Sequence, residues 1–242
     1  MHPKPGRNAR CVVFMKAVIL AGGLGKRLRP LTDSVPKPML HMRGKPILEH
    51  LLERLRSQGI REIILCTGFL SEKIESHFGD GSKFGVKIQY SREEGELGTG
   101  GALKNAQSLI GDGTFLVLYA DLLVEMDIGK LLEFHKSRKA EGTFTLHKTD
   151  HPQDSDVLEV DSDGRVAAFH HKGAQSERAR GWGNAGVYAF EPSIFRYFPK
   201  GKSGLDKDVL SPAIGKGAKL YGYITSELVK DVGTYERYAK HK

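Results

Sequence analysis

Apolar runs of strand length alternate with amphipathic helical stretches through roughly the first 150 residues, and this alternation constrains the fold most. Residues 18–20 and 61–66 read as strands, and residues 47–58 between them carry leucine and isoleucine at helical spacing. Parallel strands need long crossover connections, which helices usually supply. The pattern therefore predicts an α/β fold with a mostly parallel central sheet.

One strand stands out because residues 115–120 form a nearly continuous apolar run. A strand of this kind is expected to be buried on both faces of the sheet. Asp121 follows it directly, at its carboxyl end. Ligands of open α/β sheets bind beyond the carboxyl ends of the strands, so we expect a functional site where Asp121 lies.

The pattern changes beyond about residue 143, where short strands replace the alternation. Asp163-Gly164 is a strong signal for a hairpin turn between two of them. Residues 206–210 are predicted to form a short helix that Pro212 stops. Together, the two halves predict a Rossmann-like, three-layer α/β/α fold with a mixed, mostly parallel sheet and a small β-rich part.

The bulk properties bound the class of protein. A chain of 242 residues suits one large domain, which we assign to residues 15–242, with residues 1–14 as an N-terminal extension. The net charge of +8 is spread among acidic residues and does not indicate nucleic-acid binding, and no apolar run is long enough to span a membrane. Cys11 and Cys66 form no CxxC pair, so we expect a reduced, cytoplasmic protein. Separately, we expect a monomer or a homodimer.

A loop rich in glycine and cations, residues 21–32, follows the first strand. Glycines let the backbone N–H groups approach phosphates closely, and the Arg27 guanidinium can bind two phosphate oxygens at once. The loop is not a Walker motif, because Arg27 follows Lys26 where serine or threonine is required. Nor is it a dinucleotide-binding fingerprint, because Leu28 replaces a small residue and Pro30 prevents a regular helix.

A second element, Val-Pro-Lys-Pro-Met-Leu at residues 35–40, places Lys37 between two prolines. The prolines hold their neighbours in extended geometry and so direct one cation to one position. Both elements and their spacing resemble the N-terminal signature of the sugar-1-phosphate nucleotidyltransferases. The resemblance implies an enzyme with the nucleotidyltransferase fold that acts on a nucleoside triphosphate (NTP) and a sugar 1-phosphate.

This resemblance continues through most of the chain from Met15 onward. Residues 96–103 look like the family's base-recognition loop, where small residues let the base lie close. Asp121 and, in residues 230–234, Asp231 are similar to the family's two metal ligands. Two carboxylates suit Mg²⁺, which binds one or two protein carboxylates together with substrate phosphates. The nucleotide-binding residues that the resemblance implies are Ala21, Gly22, Gly23, Gly25, Glu96, Gly98, Thr99 and Gly100.

The acceptor site is implied by two further segments. Residues 183–188 match the family's sugar-binding strand and imply that Asn184 and Gly186 contact the sugar phosphate, with the Asn184 side chain bonding ring hydroxyls. Lys172 corresponds to the family's contact to the sugar phosphate. His171 replaces the usual glutamate beside it and Gly173 the usual proline, which leaves the sugar contacts there open.

The reaction that the resemblance implies needs no protein nucleophile. An oxygen of the sugar phosphate attacks the α-phosphorus of the triphosphate, and pyrophosphate leaves. Arg27, Lys37 and Asp121 are then the catalytic residues, with Arg27 on the β- and γ-phosphates and Lys37 on the α-phosphate.

The motifs look most like guanylyltransferases for D-glycero-α-D-manno-heptose 1-phosphate or mannose 1-phosphate, so GTP is the expected triphosphate. Residues 79–85 also resemble uridylyltransferases that act on N-acetylmuramic acid 1-phosphate. A non-catalytic regulatory protein that binds nucleotide-sugars is the alternative from another functional class.

Overall fold

The computed structural model of this chain describes residues 15–149, 156–171 and 181–241. Its strands are β1 (Lys16–Leu20), β2 (His41–Met42), β3 (Lys45–Pro46), β4 (Glu62–Thr67), β5 (Lys87–Arg92), β6 (Phe115–Tyr119), β7 (Leu122–Val124), β8 (Gly142–His147), β9 (Val157–Val160), β10 (Val166–His170), β11 (Trp182–Phe190), β12 (Leu220–Ile224) and β13 (Val229–Asp231). Its α-helices are α1 (Ile47–Ser57), α2 (Ser71–Phe78), α3 (Gly98–Asn105), α4 (Gln107–Ile110), α5 (Ile128–Ser137), α6 (Ser211–Gly215) and α7 (Tyr235–His241).

The central sheet is mixed. Four parallel strands form one half of it, in the order β5-β4-β1-β6. Strand β11 pairs antiparallel with β6 and β9 along one side and with β8 along the other. Strands β10 and β12 extend this second half from β9 and β8. The mixed sheet with a parallel core confirms the fold class predicted from the sequence.

The side chains of β1 divide between two hydrophobic layers. Ala17 and Ile19 pack with helices α1, α2 and α5 on one face of the sheet, whereas Val18 and Leu20 pack with α3 on the other. Successive side chains of a strand point to opposite faces, so this division requires helices on both sides. The result is the predicted three-layer α/β/α arrangement.

Helix α1 forms because its apolar residues recur every three or four positions and lie on one face. This face is fully buried against the sheet, and burying each such side chain contributes about 1.5–3 kcal/mol. The helix ends at Ser57, and Gly59, with a φ of +86°, turns the chain toward β4. The buried residues of α1 are Ile47, Leu48, Leu51, Leu52 and Leu55.

The predicted hairpin of the second half is present between β9 and β10. Asp161 Oδ1 accepts hydrogen bonds from the backbone N–H groups of Asp163 and Arg165, each at 2.9 Å. Gly164 adopts a φ of +80°, which glycine reaches without strain.

The predicted stop at Pro212 is wrong. Residues Leu205–Leu210 form a π-helical turn that continues into α6, and Pro212 lies in the first turn of α6. The fixed φ of proline, about −65°, is compatible with the first turn of an α-helix. In the part of the chain that the structure describes, no helix has the length and apolarity needed to cross a bilayer.

The reactivity of the Cys66 thiol provides a test of the packing between β4 and α3. Its side chain is fully buried, its Sγ lies 3.7 Å from the carbonyl oxygen of Ala102, and burial raises the pKa of its thiol. In a Cys11→Ser variant, Cys66 is the one remaining thiol. We expect a thiol reagent to label it only as the protein unfolds in urea, because reaction needs an accessible thiolate. Rapid labelling of the folded variant would contradict this packing.

Candidate active site

The carboxyl ends of β1 and β6 lie side by side. The two strands are parallel, with Leu20 opposite Tyr119, and the Ala120 N–H donates to the Leu20 carbonyl at 3.1 Å. The glycine-rich loop leaves β1 at this edge, and Asp121 leaves β6 at the same edge. The register of this one strand pair therefore brings the loop and the first aspartate together.

Asp231 reaches the same edge through a two-stranded ribbon. Strand β13 pairs antiparallel with β7, with Asp231 opposite Leu122, and the Val232 N–H donates to the Asp121 carbonyl at 3.0 Å. Val232 is fully buried and packs in one cluster with Leu28, the neighbour of Arg27. The two aspartates therefore occupy neighbouring positions although they are far apart in sequence.

Each aspartate has a cationic neighbour. Lys37 Nζ forms an ion pair with Asp121, and Arg237 of α7 forms one with Asp231. Lys37 begins a 3₁₀ turn, Lys37–Met39, after Pro36 in extended geometry. The extended geometry predicted for the flanks of Lys37 is present at Pro36 but not at Pro38, which lies in the turn with the lysine.

Gly233 marks the point on which the charged groups converge. A Cβ atom built there would lie 2.7 Å from Asp231 Oδ1, 2.8 Å from Lys37 Nζ and 2.9 Å from Arg27 Nη2. Any side chain at this position would displace these groups. Arg27, Lys37 and Asp231 therefore surround one small volume beside Asp121, which only a glycine leaves open.

These groups line a cleft of about 1010 Å³. Of the predicted site residues that the structure describes, Gly100 is the one that does not line it, because it is buried against Ser203. Lys172 lies outside the described residues. The predicted residues that line the cleft are Ala21, Gly22, Gly23, Gly25, Arg27, Lys37, Glu96, Gly98, Thr99, Asp121, Asn184, Gly186 and Asp231.

The donors at the ribbon fit a hard divalent cation. Asp121 and Asp231 offer carboxylate oxygens beside a cleft that has room for phosphates. Across the described ranges, no group of three or more His, Cys, Asp or Glu side chains is arranged to hold a metal. A structural zinc site needs such a group, whereas Mg²⁺ completes its shell with water and substrate oxygens.

Glu93 is a cleft residue that the sequence reasoning missed. It follows the last residue of β5, and its Oε2 accepts a hydrogen bond from the Leu97 N–H at 3.2 Å. Its Oε1 approaches the glycine-rich loop so closely that a Cβ on Gly22 would lie 2.3 Å away. Burial raises the pKa of its carboxyl, which means that the anion is poorly solvated. Its place at the carboxyl end of a parallel strand was the available signal.

Asp206 was missed as well, and it organises the part of the cleft around Asn184 and Gly186. Its Oδ2 accepts from the Tyr119 hydroxyl at 2.9 Å, and its Oδ1 accepts from the Tyr188 hydroxyl at 2.9 Å and from Asn184 Nδ2 at 3.1 Å. Asn184 Oδ1 in turn accepts from the Gly186 N–H at 3.1 Å. Burial raises the pKa of the Asp206 carboxyl, against the lowering effect of the two hydroxyl donors.

Comparison with known proteins identifies the family. The family described as Nucleotidyl transferase matches residues 16–242. The chain belongs to this family. The match confirms the resemblance found in the loops.

Several relatives match over most of this chain. The mannose-1-phosphate guanylyltransferase of Mycobacterium tuberculosis is 38% identical over 93% of this chain, which spans only 62% of that relative's length. The D-glycero-alpha-D-manno-heptose 1-phosphate guanylyltransferase of Aneurinibacillus thermoaerophilus is 36% identical over 93% of this chain and 96% of its own. HddC from Yersinia pseudotuberculosis, complexed with GMP-PN, matches with a TM-score of 0.79 and 31% identity over 94% of this chain and 98% of its own.

In this nucleotidyl transferase the glycines of the predicted base loop have a packing role. Gly98 has a φ of +71°, and a Cβ there would lie 2.6 Å from the Ser203 carbonyl oxygen. A Cβ on Gly100 would lie 2.8 Å from Ser203 Oγ. Residues 98–103 of the predicted loop belong to α3, and Gly98 and Gly100 have no room for a side chain because Ser203 lies against them.

We expect Gly98→Ala to lower the free energy of unfolding by about 1–3 kcal/mol, because it adds a Cβ at positive φ and against a backbone carbonyl. Urea unfolding measures the loss. Gly95→Ala is the matched control, since a Cβ there meets nothing within 4 Å, and it is expected to change stability by less than about 0.5 kcal/mol. Equal losses in the two variants would disprove the packing role.

Proposed function

We propose that this chain transfers the GMP moiety of GTP to a neutral sugar 1-phosphate, with Mg²⁺, giving a GDP-sugar and pyrophosphate. The observation that carries the proposal is the convergence of Arg27, Lys37 and Asp231 on one volume beside Asp121. This arrangement suits the meeting of two polyanions, because cations there offset phosphate repulsion and carboxylates hold a divalent cation.

The chain's own residues are assigned to positioning and charge stabilisation. Lys37 holds the α-phosphate in line with the attacking oxygen of the sugar phosphate, and Arg27 binds the β- and γ-phosphates that leave as pyrophosphate. Asp121 and Asp231 hold Mg²⁺, and the chemistry that the bound ion supplies is stabilisation of charge on the phosphate oxygens. Lys172 is assigned to the acceptor phosphate from the family resemblance alone.

Glu93 supports GTP over UTP. Guanine presents two adjacent donors, N1–H and the N2 amino group, whereas a carboxylate only accepts hydrogen bonds. Uracil presents one N–H between two carbonyl oxygens, which a carboxylate repels. Glu93 Oε2 is held by the Leu97 N–H, so the half-buried carboxylate is fixed in place beside Gly22. This argues against the uridylyltransferase alternative.

The sugar end of the cleft, by which we mean the part around Asp156, Asn184 and Asp206, supports a neutral sugar. Asp156 and Asp206 line it together with Asn184. Carboxylates accept hydrogen bonds from sugar hydroxyls but repel a second carboxylate, such as that of N-acetylmuramic acid. We therefore favour D-glycero-α-D-manno-heptose 1-phosphate or mannose 1-phosphate as the acceptor.

The proposal is tested by incubating the protein with Mg²⁺, each of the four ribonucleoside triphosphates and a panel of sugar 1-phosphates, while pyrophosphate release is measured. We expect release with GTP and heptose or mannose 1-phosphate. Binding of GDP-sugars without pyrophosphate release from any pair would favour the regulatory alternative instead.

Asp121→Asn is expected to lower turnover by at least about a hundredfold, because the reaction loses a preorganised group that stabilises charge. Asp127→Asn serves as the control, since the Asp127 side chain caps helix α5 through the Gly129 N–H at 2.8 Å and does not line the cleft. Near-normal turnover of Asp121→Asn at saturating Mg²⁺ would remove Asp121 from the site.

Glu93→Gln is expected to lower kcat/KM for GTP by at least about tenfold and to raise the relative use of UTP, because an amide can donate to a uracil carbonyl. Glu94→Gln is the matched control, since Glu94 is exposed and lies outside the cleft lining. Competition between GTP and UTP in one reaction measures the preference. An unchanged preference in Glu93→Gln would show that another group selects the base.

A further inference from the structure

Residues 203–206 are bonded at one end to the predicted base loop. The Ser203 N–H donates to the Leu97 carbonyl at 2.9 Å, and the Ser203 carbonyl accepts from the Gly100 N–H at 2.8 Å. The Leu205 N–H donates to Thr99 Oγ1 at 2.8 Å. Main-chain bonds and one side chain thus tie this short segment to the loop that begins α3.

At its other end, the same segment is bonded to the sugar end of the cleft through Asp206. This carboxylate accepts from Asn184 and Tyr188 on β11 and from Tyr119 on β6. The bond to Asn184 orients its amide, with Nδ2 toward Asp206 and Oδ1 toward the Gly186 N–H. Nδ2 also donates to the Tyr188 hydroxyl at 2.9 Å, so Asn184 has an acceptor lone pair, and no amide donor, left for the sugar.

The connection between the two ends is short and stiff. Ser203 is 3% exposed and Leu205 is fully buried. The glycines of the loop leave no gap, since Cβ atoms on Gly98 and Gly100 would overlap Ser203. In a close-packed segment of this kind, a shift of the base loop displaces the Asp206 carboxylate rather than being absorbed.

We propose that residues 203–206 couple nucleotide binding to sugar-phosphate binding, with Asp206 as the positioning residue that holds Asn184. This inference rests on the proposed function, which supplies the two ligands. A base bound at the loop stabilises the position of residues 203–206. Strand β11, which carries Asn184, is then already ordered when the sugar phosphate binds. Thermodynamic linkage requires that each ligand raises the affinity for the other by the same factor.

The experiment is calorimetric titration of mannose 1-phosphate into the protein, alone and with saturating α,β-methylene GTP. This analogue has no cleavable oxygen bridge at the bond that the reaction breaks, so no transfer occurs. The ratio of the two affinities is the coupling factor, and we expect it to be about fivefold or more in the unmodified protein.

Asp206→Ala is expected to reduce this factor at least about threefold, while affinity for the analogue alone stays within about twofold. Direct contact between the ligands is the same in both proteins, so the difference reports the protein's contribution. Asp206→Asn keeps an oxygen that can face Asn184 and is expected to restore part of the coupling. Asp112→Ala is the control, since Asp112 is exposed and lies outside both the cleft lining and residues 203–206.

Thr99→Val tests the other end without touching the sugar strand, and it replaces Asp206→Ala if that variant does not fold. We expect a lower coupling factor and an unchanged affinity for mannose 1-phosphate alone. A coupling factor in Asp206→Ala and Thr99→Val equal to that of the unmodified protein would overturn the inference. Failure of the unmodified protein to bind either mannose or heptose 1-phosphate would overturn the proposed function and the inference with it.

Discussion

The parallel pairing of β1 with β6 is the constraint on which the site depends. It places the glycine-rich loop and Asp121 at one edge of the sheet, and the ribbon of β7 and β13 then adds Asp231. Two cations, Arg27 and Lys37, share the volume beside Gly233, where their mutual repulsion is offset by the neighbouring carboxylates. A ligand that binds here has to interact with both positive and negative side chains. A triphosphate with its metal ion can do so, because its phosphates interact with the cations and the metal ion interacts with the carboxylates.

The parts of this arrangement that strand periodicity determines were predictable. Residues 115–120 are apolar because both faces of β6 are buried, and Asp121 lies at the sheet edge as a direct consequence. No local sequence pattern predicts the position of Asp231. Strand β13 has only three residues, and it pairs with β7, which is far away in the sequence. Family resemblance alone pointed to it.

Glu93 and Asp206 were missed for physical reasons. The alternation of residues 86–90 predicts a strand that ends at Tyr90, whereas β5 continues to Arg92, so the sequence pattern does not show that Glu93 directly follows the strand. Asp206 lies in a π-helical turn whose hydrogen-bond pattern has no distinctive sequence signal, and its partners come from two distant strands. A glycine motif likewise indicates a close approach but not the approaching group. At Gly98 that group is the Ser203 backbone.

At Asp206, the side chain that would be best for stability differs from the side chain that is present. Burying a carboxylate costs free energy. The groups that donate hydrogen bonds to Asp206 are two tyrosine hydroxyls and one amide, and none of them carries a compensating positive charge. An apolar side chain of similar volume would avoid this cost, but it would leave the two tyrosine hydroxyls and the Asn184 amide without their shared acceptor. What the carboxylate provides is direction, because one acceptor fixes three donors from β6 and β11 relative to the base loop. Under the proposed function, this cost holds the part of the cleft assigned to the sugar in one geometry.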